Sequence, residues 1–188
     1  MAKSKVDEHE LLDRLTQVFR TYGFEGASLS RISEATGLQR ASLYHRFPGG
    51  KKEMVETVLT RAAGWLNEHA FAHLSGSAEP ATKLKRLTSG LREFYSSGED
   101  SCLIDALSFS DASESARELV GAALDGWVTQ LSAVARQVGL TNAEATRWGE
   151  DTAIRVHGAL VFARATGKTK VFERVLREIP KSLLGEEG

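Results

Sequence analysis

Apolar residues recur every three or four positions along most of this chain, which is the spacing of one buried helix face. The first such segment, residues 7–22, begins with an acidic turn that favours the helix dipole. Its apolar face consists of Leu12, Leu15, Phe19 and Tyr22. The same spacing predicts further helices over residues 51–74, 80–97, 113–138, 142–166 and 169–184. No stretch shows sustained alternation of β-branched residues, so the sequence predicts an all-α protein.

Residues 28–47 combine two short helical patterns that a glycine separates. Ser28 suits an N-cap, because its hydroxyl can accept a hydrogen bond from a free backbone N–H of the first turn. Gly37 can take the left-handed conformation that ends a helix. A second helix over residues 42–47 then runs up to Pro48. Together with the helix at 7–22, this pattern predicts a three-helix helix-turn-helix domain, whose last helix would lie in a DNA major groove.

The charge distribution supports the same interpretation. Five Lys or Arg residues and one Glu lie between residues 27 and 52, so this segment has a net charge of +4 in a chain whose total is −1. A basic module of this size is typical of phosphate binding. The alternative is that these side chains are only the solvated charges of a small helical hairpin.

Eight residues of this module are candidates for DNA contact. They are Ser28, Gln39, Arg40, Ser42, Tyr44, His45, Arg46 and Lys51. Tyr44 and Lys51 are expected to contact phosphates, with the two serines assisting. Gln39, Arg40 and His45 are expected to reach base edges, since amide, guanidinium and imidazole groups can hydrogen-bond there.

The motif Ser-Leu-Tyr-His-x-Phe-Pro-x-Gly-Lys at residues 42–51 resembles the N-terminal domain of the TetR family of transcriptional repressors. The resemblance covers about residues 8–55, and Phe-Pro-Gly-Gly-Lys with the later Cys102-Leu103 is similar to the branch of the lincomycin-resistance repressor. It implies a DNA-binding domain at residues 1–50 and an effector-binding and dimerisation domain at residues 51–188. It also implies a homodimer on palindromic double-stranded operator DNA, released by a small hydrophobic effector. Arg46 departs from the His or Tyr usual in the family, and is expected to strengthen a phosphate or guanine contact.

Composition narrows the class further. A single cysteine, Cys102, excludes an intrachain disulfide framework and a multi-cysteine metal site, and it favours a reducing cytoplasm. His69 and His73 are four residues apart, but no suitable third ligand is near them in the sequence, so we expect no metal and no cofactor. No apolar run is long enough for a membrane span.

The helix predicted at residues 142–166 is apolar on nearly all sides, which requires burial in several directions. An ordinary central core helix would show the same pattern. The resemblance favours a dimer instead, because relatives pair through their last two long helices. The residues assigned to this interface are Trp148, Val156, Ala159, Ala163, Phe172, Val175 and Ile179.

Bulky residues of the middle helices could enclose a small hydrophobic effector, although most aromatics at helical spacing only fill a core. The candidates are Phe94, Tyr95, Leu103, Phe109, Trp127, Leu131 and His157. Cys102 has no basic neighbour in the sequence and is expected to be a buried structural cysteine.

Two other classes of function are less consistent with the sequence. A helical enzyme is disfavoured, because the sequence contains no Ser-His-Asp set, phosphate-binding glycine loop or metal cluster. A protein-interaction module would use the helices at 143–184 to hold another protein and would not bind a specific DNA sequence. The sequence therefore favours a DNA-binding repressor that is not an enzyme.

Overall fold

The computed structural model of the chain describes residues 6–100, 102–103 and 114–185. In these residues the chain forms eight α-helices and no strand, which confirms the all-α prediction. The helices are α1 (Glu8–Gly26), α2 (Leu29–Thr36), α3 (Arg40–Arg46), α4 (Gly50–Leu66), α5 (Pro80–Phe94), α6 (Glu114–Gln137), α7 (Asn142–Thr166) and α8 (Lys170–Leu184). None of the helices in the described ranges is long and apolar enough to cross a lipid bilayer.

The chain divides into two compact units. The first contains the described residues within Met1–Ala62 and Leu103–Val120, and the second those within Ala63–Cys102 and Gly121–Gly188. The division therefore falls within α4 and within α6. The boundary after residue 50, expected for the functional domains, stays a prediction.

The core of the first unit joins α1 to the two helices that follow it. Leu15 and Phe19 of α1, Ile32 of α2 and Leu43 of α3 are all fully buried and belong to one apolar cluster. Met54 of α4 completes it. Burying these five side chains fixes α1 behind α2 and α3, because apolar surface is removed from water only when the three helices pack together.

The predicted end of α1 at Gly23 is instead an interruption. Gly23 leaves the helical region (φ 66°, ψ −175°), and α1 then continues to Gly26. The positive φ costs glycine nothing because it has no Cβ. The prediction is also wrong for Tyr22, which is 47% exposed rather than buried. Its ring lies under the guanidinium of Arg31, 4.5 Å from centroid to Cζ, so a cation–π contact replaces the expected core contact.

In the second unit, α4 does not continue to residue 74 as a regular helix. A π-helical turn covers Asn67–Phe71 and a 3₁₀ turn covers Ala72–Leu74. The backbone of the π turn lies directly against Gly90 of α5. A Cβ atom built on Gly90 would be 2.5 Å from the carbonyl oxygen of His69, so only glycine fits this crossing without a shift.

The last two helices are antiparallel neighbours. Trp148 Nε1 donates to Ser182 Oγ at 3.0 Å, and Arg155 Nη2 pairs with Glu178 Oε2 at 2.8 Å. The start of α7 is fixed by a capping box, in which the Thr141 hydroxyl accepts from the Glu144 backbone N–H and the Glu144 carboxylate accepts from Thr141. These hydrogen bonds from Thr141 hold the pKa of the exposed Glu144 carboxyl below its usual value.

Candidate nucleic-acid interface

The turn between α2 and α3 has the predicted geometry. The Ser28 hydroxyl accepts from the Arg31 backbone N–H at 3.3 Å, and Gly37 takes the left-handed conformation (φ 70°, ψ 6°). Thr36 closes the turn: its Oγ1 donates to Ile32 O at 2.7 Å and accepts from the Leu38 N–H at 3.3 Å. The Ser28 cap and the Gly37 cap are thus both confirmed.

The second helix begins two residues earlier than predicted, at Arg40 rather than Ser42. Gln39 is its N-cap, with extended backbone (φ −70°, ψ 154°), and its carbonyl accepts from the Leu43 N–H at 3.0 Å. Gln39 makes no capping hydrogen bond through its side chain, so its amide group is available at the surface.

Arg14 of α1 holds the end of α2 and was missed by the sequence analysis. Its Nη1 donates to Thr36 O at 3.1 Å and Ala35 O at 3.4 Å, and its Nη2 pairs with Glu10. The final carbonyls of a helix have no partner within it, and Arg14 supplies a charged donor to two of them. The sequence separation is about twenty residues, so no local pattern could have indicated this contact.

The surface of α3 and the turn before it carries five of the eight predicted DNA contacts. Gln39, Arg40, Ser42, Tyr44 and His45 are exposed, whereas Leu43 between them is fully buried. Because Leu43 anchors the helix to the core, the polar side chains must face solvent. The structure therefore gathers amide, guanidinium, hydroxyl, phenol and imidazole groups on one short helix.

Arg40 is oriented by a neighbour that the sequence analysis did not single out. Its Nη2 donates to Ser30 Oγ at 2.7 Å, which links the first turns of α2 and α3. The guanidinium keeps further N–H groups for a ligand, because only one of its nitrogens is used.

Two of the predicted contact residues are half-buried and bound to the protein backbone. Lys51 Nζ donates to Phe24 O at 2.7 Å and lies 4.2 Å from the centroid of the Phe24 ring. Arg46 Nη2 donates to Val6 O at 3.2 Å. Both side chains thus stabilise the first unit itself. Their roles toward DNA stay predictions.

The residues predicted for the effector site are distributed over both units. Trp127 stacks on Phe71 and on His157, with ring centroids 4.5 and 5.3 Å away. Tyr95 packs edge-on against Phe94 at 4.9 Å. The second unit also contains the buried Leu131. Tyr95 Oη lies 3.6 Å from Sγ of Cys102, which is buried as predicted.

Leu103 is buried in the apolar cluster of the first unit, and its role toward an effector stays a prediction. Phe109 lies outside the described residues.

The residues predicted for the dimer interface are mostly covered by their own chain. Val156, Ala159, Ala163, Phe172, Val175 and Ile179 are each at most 8% exposed in the single chain, and Trp148 is half-buried. Side chains that are already buried in the single chain offer little area to a partner, and their place in a dimer interface stays a prediction. The large apolar side chains that α7 leaves in solvent are Ile154, Val161 and Phe162, which are 67%, 50% and 48% exposed. We call these three residues the α7 apolar patch.

The first unit is similar in sequence to a known family of bacterial regulators. The sequence pattern described as "Bacterial regulatory proteins, tetR family" matches residues 11–58, which span the three helices above and the first half of α4. The chain is 24% identical over 140 residues to the HTH-type transcriptional regulator LmrA of Bacillus subtilis, a match that covers 72% of this chain and 74% of the relative.

Two solved structures share the fold along nearly the whole chain. A TetR transcriptional regulator from Legionella pneumophila superposes with a TM-score of 0.78 at 18% identity, over 96% of this chain and all of that chain (100%). The TetR family transcriptional regulator CifR, a cysteine mutant solved with 26-bp double-strand operator DNA, superposes with a TM-score of 0.74 at 21% identity. That match covers 94% of this chain and 97% of CifR.

Proposed function

Because this chain belongs to the TetR family of DNA-binding transcriptional regulators, we propose that it is a homodimeric repressor that a small hydrophobic effector releases from a palindromic operator. The observation that supports operator recognition most directly is the exposed polar face of α3. Such a protein acts where the chromosome lies, so the cytoplasmic location expected from the sequence is part of the proposal.

The proposed DNA contact follows from how α3 is held. Leu43 and the α1 helix fix it from behind, and the Gly37 turn presents its first residues outward. In helix-turn-helix proteins the N-terminal residues of the second helix contact base edges in the major groove. In this chain those residues are Gln39, Arg40 and Ser42, while Tyr44 and His45 lie one turn further along.

Replacing Arg40 with alanine should weaken operator binding by about 1–3 kcal/mol and relax the base preference at one position. The reason is that a guanidinium can donate two hydrogen bonds to one guanine, which the methyl group of alanine cannot replace. The measurement is selection of bound sequences from a random DNA library, followed by titration of the selected site.

The matched control is Arg86→Ala, which removes the same group from an exposed position of α5 in the second unit. This control should leave affinity and preference unchanged. Unaltered base preference in the Arg40 variant would contradict the proposed orientation of α3, and no sequence-specific binding by the unmodified chain would favour the protein-interaction module.

The proposed dimer uses the α7 apolar patch. Exposed large apolar side chains on one helix face are a feature of association surfaces, because a monomer leaves them in contact with water. Two recognition helices must lie about 34–36 Å apart to meet successive major grooves on one side of DNA. A homodimer provides two such helices, and its symmetry fits a palindromic site.

The proposed effector site lies in the second unit, around Trp127 and its neighbours Phe71 and His157. An aromatic compound bound there should quench tryptophan fluorescence, and the Trp127→Phe variant should lose most of that quenching while keeping an apolar ring. The same compound should weaken operator binding, and operator DNA should weaken the compound's binding by the same factor, since coupling between two sites is reciprocal. A compound that binds at Trp127 with no effect on operator affinity would contradict the proposed coupling.

A further inference from the structure

One face of α8 carries only basic side chains. Its exposed residues Lys170, Arg174, Arg177 and Lys181, which we call the α8 basic stripe, follow one another at intervals of four, three and four. This spacing places them on one side of the helix, opposite the buried residues. Within the described ranges, none of their charged groups makes a hydrogen bond or ion pair. The acids Glu173 and Glu178 do not neutralise the stripe, because they pair with Arg92 of α5 and Arg155 of α7.

The α8 basic stripe and the α7 apolar patch lie on the same outer side of the helix pair. In α7, Trp148 and Arg155 reach α8 from positions between the buried face and the patch. In α8, Glu178 and Ser182 reach α7 from positions between the buried face and the stripe. Because the two helices are antiparallel, these flanking contacts place the α7 apolar patch and the α8 basic stripe on the same side of the helix pair. A partner that covers the patch therefore also meets the stripe.

Two acidic residues of α7 lie on this outer surface. Glu150 and Asp151 are exposed and make no ion pair with any residue that the structure describes. The contact from Trp148 to Ser182 sets the register of the antiparallel pair, so these two carboxylates are level with Lys181. Arg177 is one helical turn from that level, about 5.4 Å along the axis.

The charge pattern distinguishes two ways of pairing the helices in a symmetric dimer. A two-fold axis across the helices would set each α8 against the α8 of the partner, so that each basic stripe faces another basic stripe. A two-fold axis parallel to the helices would instead set each α7 against the α8 of the partner. Residues at the same height along the axis would then face each other. The second arrangement sets the acids of α7 against the basic stripe of α8, and its symmetry forms every such contact twice.

We propose that Glu150 and Asp151 form ion pairs with Arg177 and Lys181 of the partner subunit, and that these pairs set the orientation of the dimer and its preference for an identical chain. This inference rests on the homodimer proposed above and names the chemistry of its interface. Exposed ion pairs add little affinity, but like charges brought together are strongly disfavoured, so such pairs act mainly by excluding wrong arrangements and wrong partners.

A charge-swap experiment tests this pairing. One variant carries Glu150→Lys and Asp151→Lys, and the other carries Arg177→Glu and Lys181→Glu. Each variant alone places like charges in contact, so its homodimer dissociation constant should rise at least about tenfold in sedimentation measurements. In an equimolar mixture the two variants can form a heterodimer. One of its two symmetry-related sets of contacts then pairs the swapped charges, and the other set retains the natural pairs. The heterodimer should therefore form in preference to either homodimer.

The matched control is Lys170→Glu with Arg174→Glu, an equal change of charge within the same stripe but away from the level of the acids. It should show no preference for the lysine-bearing variant. The preference for the heterodimer should weaken as salt is raised, because exposed charges are screened.

Three outcomes would overturn the inference. They are variants that dimerise like the wild type with statistical mixing, variants that stay monomeric even when mixed, and a heterodimer preference that does not depend on salt. A wild-type chain that is monomeric at all concentrations would refute the proposed homodimer itself, whereas a wild-type dimer with any of the three outcomes would refute only the charge pairing. Circular dichroism of each variant checks that the helices are intact.

Discussion

A chain carrying Ile154→Arg and Val161→Arg should be a folded monomer that has lost tight operator binding. Both side chains are at least half exposed in the single chain, so arginine at either position can extend into solvent within the monomer. In the proposed dimer the same arginines would lie within the apolar contact and would lose water, and burying a charge in an apolar contact is strongly unfavourable. The dimer dissociation constant should therefore rise by at least about a hundredfold.

The loss of the dimer should be visible in DNA binding, because two linked heads gain affinity from one another. Separating them should weaken operator binding by roughly 10²–10⁴-fold, the usual range for lost bivalency. Sedimentation measures the assembly and fluorescence anisotropy measures the operator affinity. The matched control is Leu119→Arg, which adds the same charge at an exposed leucine of α6, 41% exposed, and should change neither quantity. A double variant that sediments as an undiminished dimer would move the interface away from α7.

Gly90→Ala should lower the free energy of unfolding by about 1–3 kcal/mol, the usual range for overpacking a rigid contact. The added Cβ would lie 2.5 Å from His69 O, 2.8 Å from Ala70 Cβ and 2.9 Å from Ala70 Cα. None of these is the end of a flexible side chain, so relief requires α5 or the π turn to move. The melting temperature should fall by roughly 2–12 °C in a calorimetric scan.

Gly64→Ala is the same substitution at another glycine, and it should change the free energy of unfolding in the opposite direction. Gly64 lies in α4 with nothing within 4 Å of a built Cβ, so alanine meets no obstacle there. It should raise stability by about 0.5–1 kcal/mol, because alanine loses less conformational entropy in a helix than glycine. Equal effects of the two substitutions would show that the crossing at Gly90 is not a tight contact.

The helix-turn-helix could be predicted from the sequence because its signals are local. Ser28 and Gly37 act through hydrogen bonds and backbone angles within a few residues of themselves, so their types and spacing suffice. The early start of α3 was missed because Gln39 caps with its backbone alone, which residue type does not reveal. The roles of Arg14 and Lys51 depend on segments more than twenty residues away, which pattern reasoning does not reach.

The α7 apolar patch could not be predicted from the sequence for a different physical reason. α7 has apolar residues on two sides, and periodicity shows both stripes without indicating which one its own chain covers. The stripe with Val156 and Ala159 is the one buried within the second unit, while Ile154 and Phe162 remain in solvent. The buried stripe and the exposed stripe differ only in whether a neighbouring helix covers them. The positions of the neighbouring helices follow from the tertiary packing and not from the sequence pattern of α7.

The contact between Arg46 and Val6 has a practical consequence for anyone who purifies this protein. Arg46 ends α3, and its guanidinium holds the carbonyl of Val6 at 3.2 Å. A tag or linker joined directly to Val6 would therefore start beside the proposed DNA-reading helix. An acidic tag at that position should repel the operator, because its charge has the same sign as that of the phosphates.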